Sequence, residues 1–302
     1  MDRAERARKT TRAAAISVVS NTVLVILKLI VGIMIGSVAV ISEAVHSGMD
    51  LVASLIALFA VRTAARPADE DHPYGHGKAE NISGTIEALL IFAAAAWIIW
   101  EAANKLMGGH EVELVGWGVA VMAFSVIVNV IVSEMLFRTA RETDSIALEA
   151  DAWHLRTDVY TSLGVVGALG FIAVTQTHFT SLYAHWIDPV AAIAVALLII
   201  SAAWHLTINS ARDLMDVALP EAEEQAIRVA LTEVEDVRDY HKLRTRKAGS
   251  QRFVDVHVLV DPQMTVARAH QVAYAVETAI KQHLPSTAVV VHIEPSEDDA
   301  EE

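Results

Sequence analysis

Six stretches of this chain are each apolar over about the 20 residues needed to cross a hydrocarbon layer, and short connections join them. They run near Ala13–Ile35, Ser37–Ala64, Asn81–Leu106, Leu114–Thr139, Ile146–Thr175 and Ile187–Leu206. In lipid the backbone must satisfy its own hydrogen bonds, so stretches of this length fold as helices. Over the 302 residues, 54% are hydrophobic and the mean hydropathy is +0.40, far from an ordinary soluble domain. The second, third and fifth stretches keep polar residues on one stripe, which predicts helices with a side facing the bundle.

Lysine and arginine placement sets an expected orientation. The leader carries Arg3, Arg6, Arg8, Lys9 and Arg12; the second-to-third connection carries Arg62, Arg66 and Lys78; the fourth-to-fifth carries Arg138 and Arg141. The alternate connections, Gly36, Met107–Glu113 and Gln176–Trp186, contain neither residue type. The positive-inside rule then places both termini in the cytoplasm. Short loops suit a bacterial inner (cytoplasmic) membrane. No cleavable signal peptide is expected, because the first apolar stretch is too long for one.

After Leu206 the composition becomes that of a water-facing domain. Pro220 opens a helix to about Glu233, with Glu221, Glu223 and Glu224 in its first turn. Val237–Arg246 and Arg252–Asp261 read as strands joined by the hairpin KAGSQ, followed by a helix over Val266–His283 and a strand over Ala288–Glu294. The expected fold is a membrane all-α six-helix bundle plus a C-terminal cytoplasmic α+β domain, αββαβ and ferredoxin- or metallochaperone-like. Its expected parts are a leader at 1–12, the bundle at 13–210, the αββαβ domain at 211–295 and a disordered acidic tail at 296–302.

Within the second apolar stretch, SEAVHSGMD puts His46 and Asp50 four residues apart, one helical turn on a single face. The fifth repeats the pattern in DAWHLRTD, with His154 and Asp158. Ionisable groups at membrane depth cost a few kcal/mol each and mark function by default. Two helices presenting a His and an Asp apiece offer four ligands that suit tetrahedral Zn²⁺. The plain alternative is that each pair is a private hydrogen bond tying a helix to its neighbour. With no cysteine, thiolate sites and disulfides are excluded, and a net charge of −14 without a basic stripe excludes nucleic acid as a partner.

Paired HxxxD motifs in the second and fifth of six membrane helices, followed by αββαβ, resemble the cation diffusion facilitator family. The linker DHPYGHGKAE (Asp71–Glu80) and the segment HKLRTRKAG (His241–Gly249) strengthen the resemblance, which spans about Thr11 to Pro295. It implies a homodimeric exporter in a lipid bilayer that exchanges divalent metal ions for protons, with His46, Asp50, His154 and Asp158 as the transport site. Two His with two Asp is the pattern linked to zinc; among Zn²⁺, Cd²⁺, Co²⁺ and Fe²⁺ the sequence does not choose. The resemblance also implies a secondary zinc position at Asp69, His72 and His76. The alternative there is a solvated loop shaped by Pro73 and Gly75.

In the C-terminal domain, alternation along RFVDVHVLVD puts Val254, Val256, Val258 and Val260 on one sheet face and Phe253, Asp255 and His257 on the other. His292 and Glu294 share a face of the last strand. The resemblance places metal ligands at His241, His257, His270 and His292, with Glu294 where an aspartate is common. A half-exposed strand with no metal would show the same alternation. His110, His178 and His185 read as solvated, and His205 and His283 as structural or surface residues. Lys28 is expected to snorkel or pair, and Arg156 to pair with Glu149 or Asp151.

Two other function classes stay open. An intramembrane metal-dependent hydrolase needs an open coordination position and a water-activating base, and no HExxH or GxSxG motif occurs. A passive divalent cation channel more naturally uses rings of carboxylates or carbonyls.

Overall fold

The computed structural model describes residues 1–36, 38–108, 116–175 and 184–296. His110, His178 and the acidic tail from residue 297 lie outside them, as does the side chain of His185. The chain divides into two units, Met1–Ala211 and Arg212–Glu302.

The first unit is helical: α1 (Arg3–Ile35), α2 (Val38–Ala64), α3 (Lys78–Gly108), α4 (Gly116–Thr143), α5 (Ile146–Thr175) and α6 (Ala184–Leu214). Among the described residues, five helices are long and apolar enough to span a membrane. The remaining one, α5, carries Glu149, Asp151, Arg156 and Asp158 in its first half.

Several helices outrun their apolar stretches. The leader is no separate segment: α1 is already helical from Arg3. Its Ala, Arg and Glu are strong helix formers, and Arg6 anchors it. Arg6 Nε donates to the Thr143 carbonyl, Nη2 donates to the Asp144 carbonyl at 3.3 Å, and the guanidinium lies 3.7 Å from Glu80. Glu80 in turn accepts from Ser145 Oγ at 2.5 Å, so α1, α3 and the α4–α5 corner meet at one polar joint. At its other end α1 stops at Gly36, whose φ of 66° is left-handed and whose N–H caps Gly32 and Ile33. Glycine adopts that conformation without strain, which permits the abrupt reversal into α2.

Helix α5 sits between two buried clusters. On one side Ala147, Leu148, Ala152 and Leu155 pack with α1, α2 and α4 through Ala13, Val61, Leu136 and Ala140. On the other, Ala150 packs with Ala88, Ile91 and Ala95 of α3 and Ile199, Ala203 and Leu206 of α6. Small residues let membrane helices approach closely, since apolar burial gives no drive between helices in lipid. Gly84 shows how closely: a Cβ there would fall 2.5 Å from Ser210 Oγ and 2.8 Å from Ile146 Cγ2.

The second unit contains α7 (Glu221–Thr232), β1 (Asp239–Ala248), β2 (Gln251–Val260), α8 (Val266–His283) and β3 (Thr287–Pro295). The sheet order is β1-β2-β3, with β1 antiparallel and β3 parallel to β2. Val254, Val256, Val258 and Val260 are buried against Ile227 and Leu231 of α7 and Val272, Val276 and Ile280 of α8, as their alternation predicts. The hairpin is tighter than the expected KAGSQ connection. Ala248 pairs with Gln251, and Gly249 at φ 58° turns the chain. Near its start β1 slips by one residue between His241 and Arg244, a bulge in which Lys242 takes φ 50°.

Candidate metal centres

Helical spacing stacks His46 over Asp50 on α2 and His154 over Asp158 on α5, and packing turns the two pairs face to face. The pairing crosses between helices. His154 Nε2 meets Asp50 Oδ1 at 3.1 Å, and His46 Nε2 meets Asp158 Oδ1 at 3.7 Å. One ligand atom from each of His46, Asp50 and Asp158 lies within 4.8 Å of the others. Asp50 and His154 are buried, whereas His46 is exposed and Asp158 half-buried. Asp158 Oδ2 and His154 Nδ1 are buried without a hydrogen-bond partner. The nitrogen and oxygen donors of that three-residue group suit a borderline divalent cation, and His154, bonded to Asp50, stands beside them.

Neighbouring groups brace this centre. Asn21 Nδ2 donates to Ser54 Oγ at 2.5 Å and towards the Asp50 carbonyl at 3.4 Å; Ser54 Oγ donates to that same carbonyl at 2.7 Å. These bonds tie α1 to α2 behind Asp50. Lys28 is buried and paired, donating to Ser47 Oγ at 2.7 Å and towards Glu43 Oε2 at 3.4 Å. Arg156 corrects the expectation. It bonds Glu134 of α4 at 3.1 Å rather than Glu149 or Asp151, and its guanidinium lies over Phe137, 5.5 Å from the ring centre.

Three acids to which the sequence assigns no place in a site are buried. Asp151 and Glu87 are wholly buried and Glu80 nearly so. Ser83 Oγ donates to Glu87 Oε1 at 3.0 Å, and Glu87 Oε2 has no partner. The signal was present, since Ser83 and Glu87 lie four apart in an apolar stretch, as His46 and Asp50 do.

The α2–α3 connection folds around Asp69. The His72 backbone N–H donates to Asp69 Oδ1 at 2.8 Å, His72 Nδ1 lies 3.2 Å from the same oxygen, and His76 Nε2 lies 3.2 Å from Oδ2. Gly75 at φ 83° makes the turn that brings the second histidine back. The three offer ligand atoms within 4.8 Å of one another. The His72 backbone N–H, and then its side chain, hold the Asp69 carboxyl below the usual range.

In the second unit, strand register puts His241, His257 and His292 side by side across all three strands. Glu294 reaches back into that row. Its Oε1 lies 2.7 Å from His257 Nδ1 and 3.4 Å from His292 Nε2, and its Oε2 lies 2.8 Å from His241 Nε2. His241, His257 and Glu294 form the compact three-ligand group. The hydrogen bond from His257 holds the Glu294 carboxyl below its ordinary range. His270 is apart from the group, exposed on α8. His205 Nδ1 donates to Ser201 O at 2.9 Å, and His283 Nδ1 to Ala279 O at 3.0 Å, the structural uses expected of both.

Comparison with known proteins decides the family. Residues 14–215 match the family described as Cation efflux transmembrane domain, and residues 219–296 match Cation efflux protein, cytoplasmic domain. The chain belongs to the cation diffusion facilitator family. Its relatives include an uncharacterized transporter of Synechocystis sp., 39% identical over 87% of this chain and 83% of that one. The cation-efflux pump FieF of Klebsiella pneumoniae is 30% identical over 96% of this chain and 94% of its own. A solved C-terminal domain of MamM is 32% identical, covers 26% of this chain and 98% of that domain, and superposes with a TM-score of 0.25. As a family member the chain is a multi-pass cation-efflux transporter and not an enzyme.

Proposed function

We propose that this transporter exports Zn²⁺ across the cytoplasmic membrane in exchange for protons, working as a homodimer with both termini in the cytoplasm. One observation carries the reading: two histidines and two aspartates from α2 and α5 converge, each histidine facing the opposite helix's aspartate. Zn²⁺ binds neutral imidazole and ionised carboxylate, whereas protons favour the His–Asp contacts of the empty site. Metal and protons therefore compete for the same atoms, and exposing the site to each side in turn couples their movements. The preference for zinc rests on two imidazoles in the set, which suit a borderline cation better than an all-oxygen shell.

In this reading the Asp69/His72/His76 loop and the His241/His257/Glu294 group bind Zn²⁺ as structural or regulatory ligand. The latter lets the cytoplasmic domain sense metal, with His292 beside it. The alternating charge of the connections supports cytoplasmic termini. Proteoliposomes loaded with a zinc-sensitive dye test the assignment. Saturable Zn²⁺ uptake that needs a pH gradient is the expected result. Ohmic current without saturation would make the protein a channel, and pH-independent flux would remove the exchange.

A further inference from the structure

Lys28 places a buried ammonium inside the first unit. It stands on α1 against the turn of α2 that precedes the metal centre, 2.7 Å from Ser47 Oγ and 3.4 Å from Glu43 Oε2. Ser47 directly follows His46, and Glu43 lies one helical turn before it. The Lys28–Glu43 pair thus lies against the turn of α2 that carries His46.

Lys28 and Glu43 form an opposite-charge pair beside the ligands, and Asp151 is buried one turn before His154. With neutral imidazoles, Asp50 and Asp158 present two negative charges to a divalent ion, and Lys28 with Glu43 adds nothing net. The two members differ in burial, however. Lys28 is enclosed, whereas Glu43 is partly open to its surroundings. Each still acts on a bound cation, the ammonium repelling it and the carboxylate attracting it. Ser47 and Glu43 hold the Lys28 ammonium in this position.

We propose that Lys28 is a built-in opposing cation that sets how tightly the His46/Asp50/His154/Asp158 centre holds its metal, with Glu43 as the trim on that opposition. The inference rests on the transport-site reading given above. The ammonium's repulsion would ease release of Zn²⁺ from the ligands alongside proton competition. The repulsion costs affinity and gains release rate. Lys28 is thus a positioning residue acting through the ligands, touching no metal itself.

The test uses the full chain reconstituted in vesicles, with Zn²⁺ as the probe, and four variants: K28M, E43Q, K28M/E43Q and the site control D158A. K28M should lower the Zn²⁺ KM by about tenfold and lower kcat as release slows. E43Q should raise KM by about tenfold. K28M/E43Q should return KM to within about threefold of the parent, because the net charge is restored. A purely structural role predicts the opposite pattern: both single variants weaken binding and the double is as poor as either or worse. That pattern, or a KM in K28M unchanged or raised, overturns the proposal. If D158A abolishes Zn²⁺ movement while K28M leaves KM alone, only this inference falls. If Zn²⁺ movement survives D158A, the transport-site reading falls and takes this one with it.

Discussion

His154 bonds across to Asp50 on the neighbouring helix, Nε2 to Oδ1 at 3.1 Å, and not to Asp158, its partner one turn along α5. Asp158 is answered from the other side by His46. The two motifs therefore interlock, and neither helix's pair is complete without the other. The plain alternative, hydrogen bonds that tie a helix to its neighbour, describes the same two contacts, and what they add is that all four side chains gather between the same two helices.

Interlocking makes each aspartate indispensable. Asp50→Ala or Asp158→Ala should lower Zn²⁺ transport to background, more than the 10- to about 100-fold that loss of a merely supporting group costs. Fluorescence-detected size-exclusion should show equal folded protein in the membrane. Parent-like transport by either variant at equal abundance would contradict the shared site.

His46 is the exposed donor of the set and should tune selectivity. His46→Asp replaces a borderline nitrogen with a hard oxygen. The Cd²⁺/Zn²⁺ transport ratio should rise in competition assays. A ratio that stays level or falls would argue that His46 does not touch the metal.

The row of histidines in the second unit predicts metal-linked stability. Metal bound only to the folded domain stabilises it by about 2.7 kcal/mol at one hundred times Kd. A fragment covering 213–295, which carries its own buried core, should melt several degrees higher in excess Zn²⁺. H241A/H257A should abolish the shift, and H270A should keep it. A shift that survives the double variant would return these residues to a plain half-exposed strand face.

Glu294 gives the same domain a pH signature. Its carboxyl is held below the ordinary range by His257, and the unfolded chain titrates near the ordinary value of about 4.3. The lowered folded value means the contribution is complete above that pH and is lost as pH falls through it. Without metal, Glu294→Gln should melt lower than the parent at about pH 6, and the gap should narrow as pH falls below about 4.3. A gap that is constant with pH would deny the His257–Glu294 bond a role in stability.

Gly84 offers a packing test away from the metal. Gly84→Ala would press a methyl group against Ser210 Oγ and Ile146 Cγ2, which should cost about 1–3 kcal/mol. Ser210→Gly in the same chain should recover part of the loss, since it removes one of the two obstructing side chains. Thermal unfolding in detergent measures both. An unchanged melting temperature for the single variant would show that α3 and α6 have slack at this point.

Much of this architecture was legible in the residues. Length and apolarity alone place the six helices, because lipid leaves the backbone few options, and the αββαβ order follows from helical and two-residue periods. His46, Asp50, His154 and Asp158 stand out by charge in an apolar setting. Periodicity is silent about which helix faces which, so the crossed pairing, the Arg156–Glu134 bond and the Lys28–Glu43 pair needed the structure. It is equally silent about a one-residue bulge, which decides how His241 meets Glu294. His270 shows the converse limit: helical spacing puts it on α8, and only packing shows that it stands away from the other three histidines. The polar start of α1 carries no apolar period, so the sequence is silent about its helicity, although Arg6 anchors that start to the α4–α5 corner.

That anchor has a mechanical meaning. Helix α1 is a continuous rod of 33 residues, about 50 Å long at 1.5 Å per residue. One end is pinned by Arg6 beside the first turn of α5, and the other folds through Gly36 directly onto α2. The rod thus spans the two helices that own opposite halves of the metal centre, like a tie between the legs of a pair of tongs. Spreading the legs at the pinned end either breaks the Arg6 bonds or swings the whole rod, and swinging it drags α2 by the Gly36 fold. A displacement of one half of the centre thus has a second route to the other through α1, besides the direct contacts between α2 and α5.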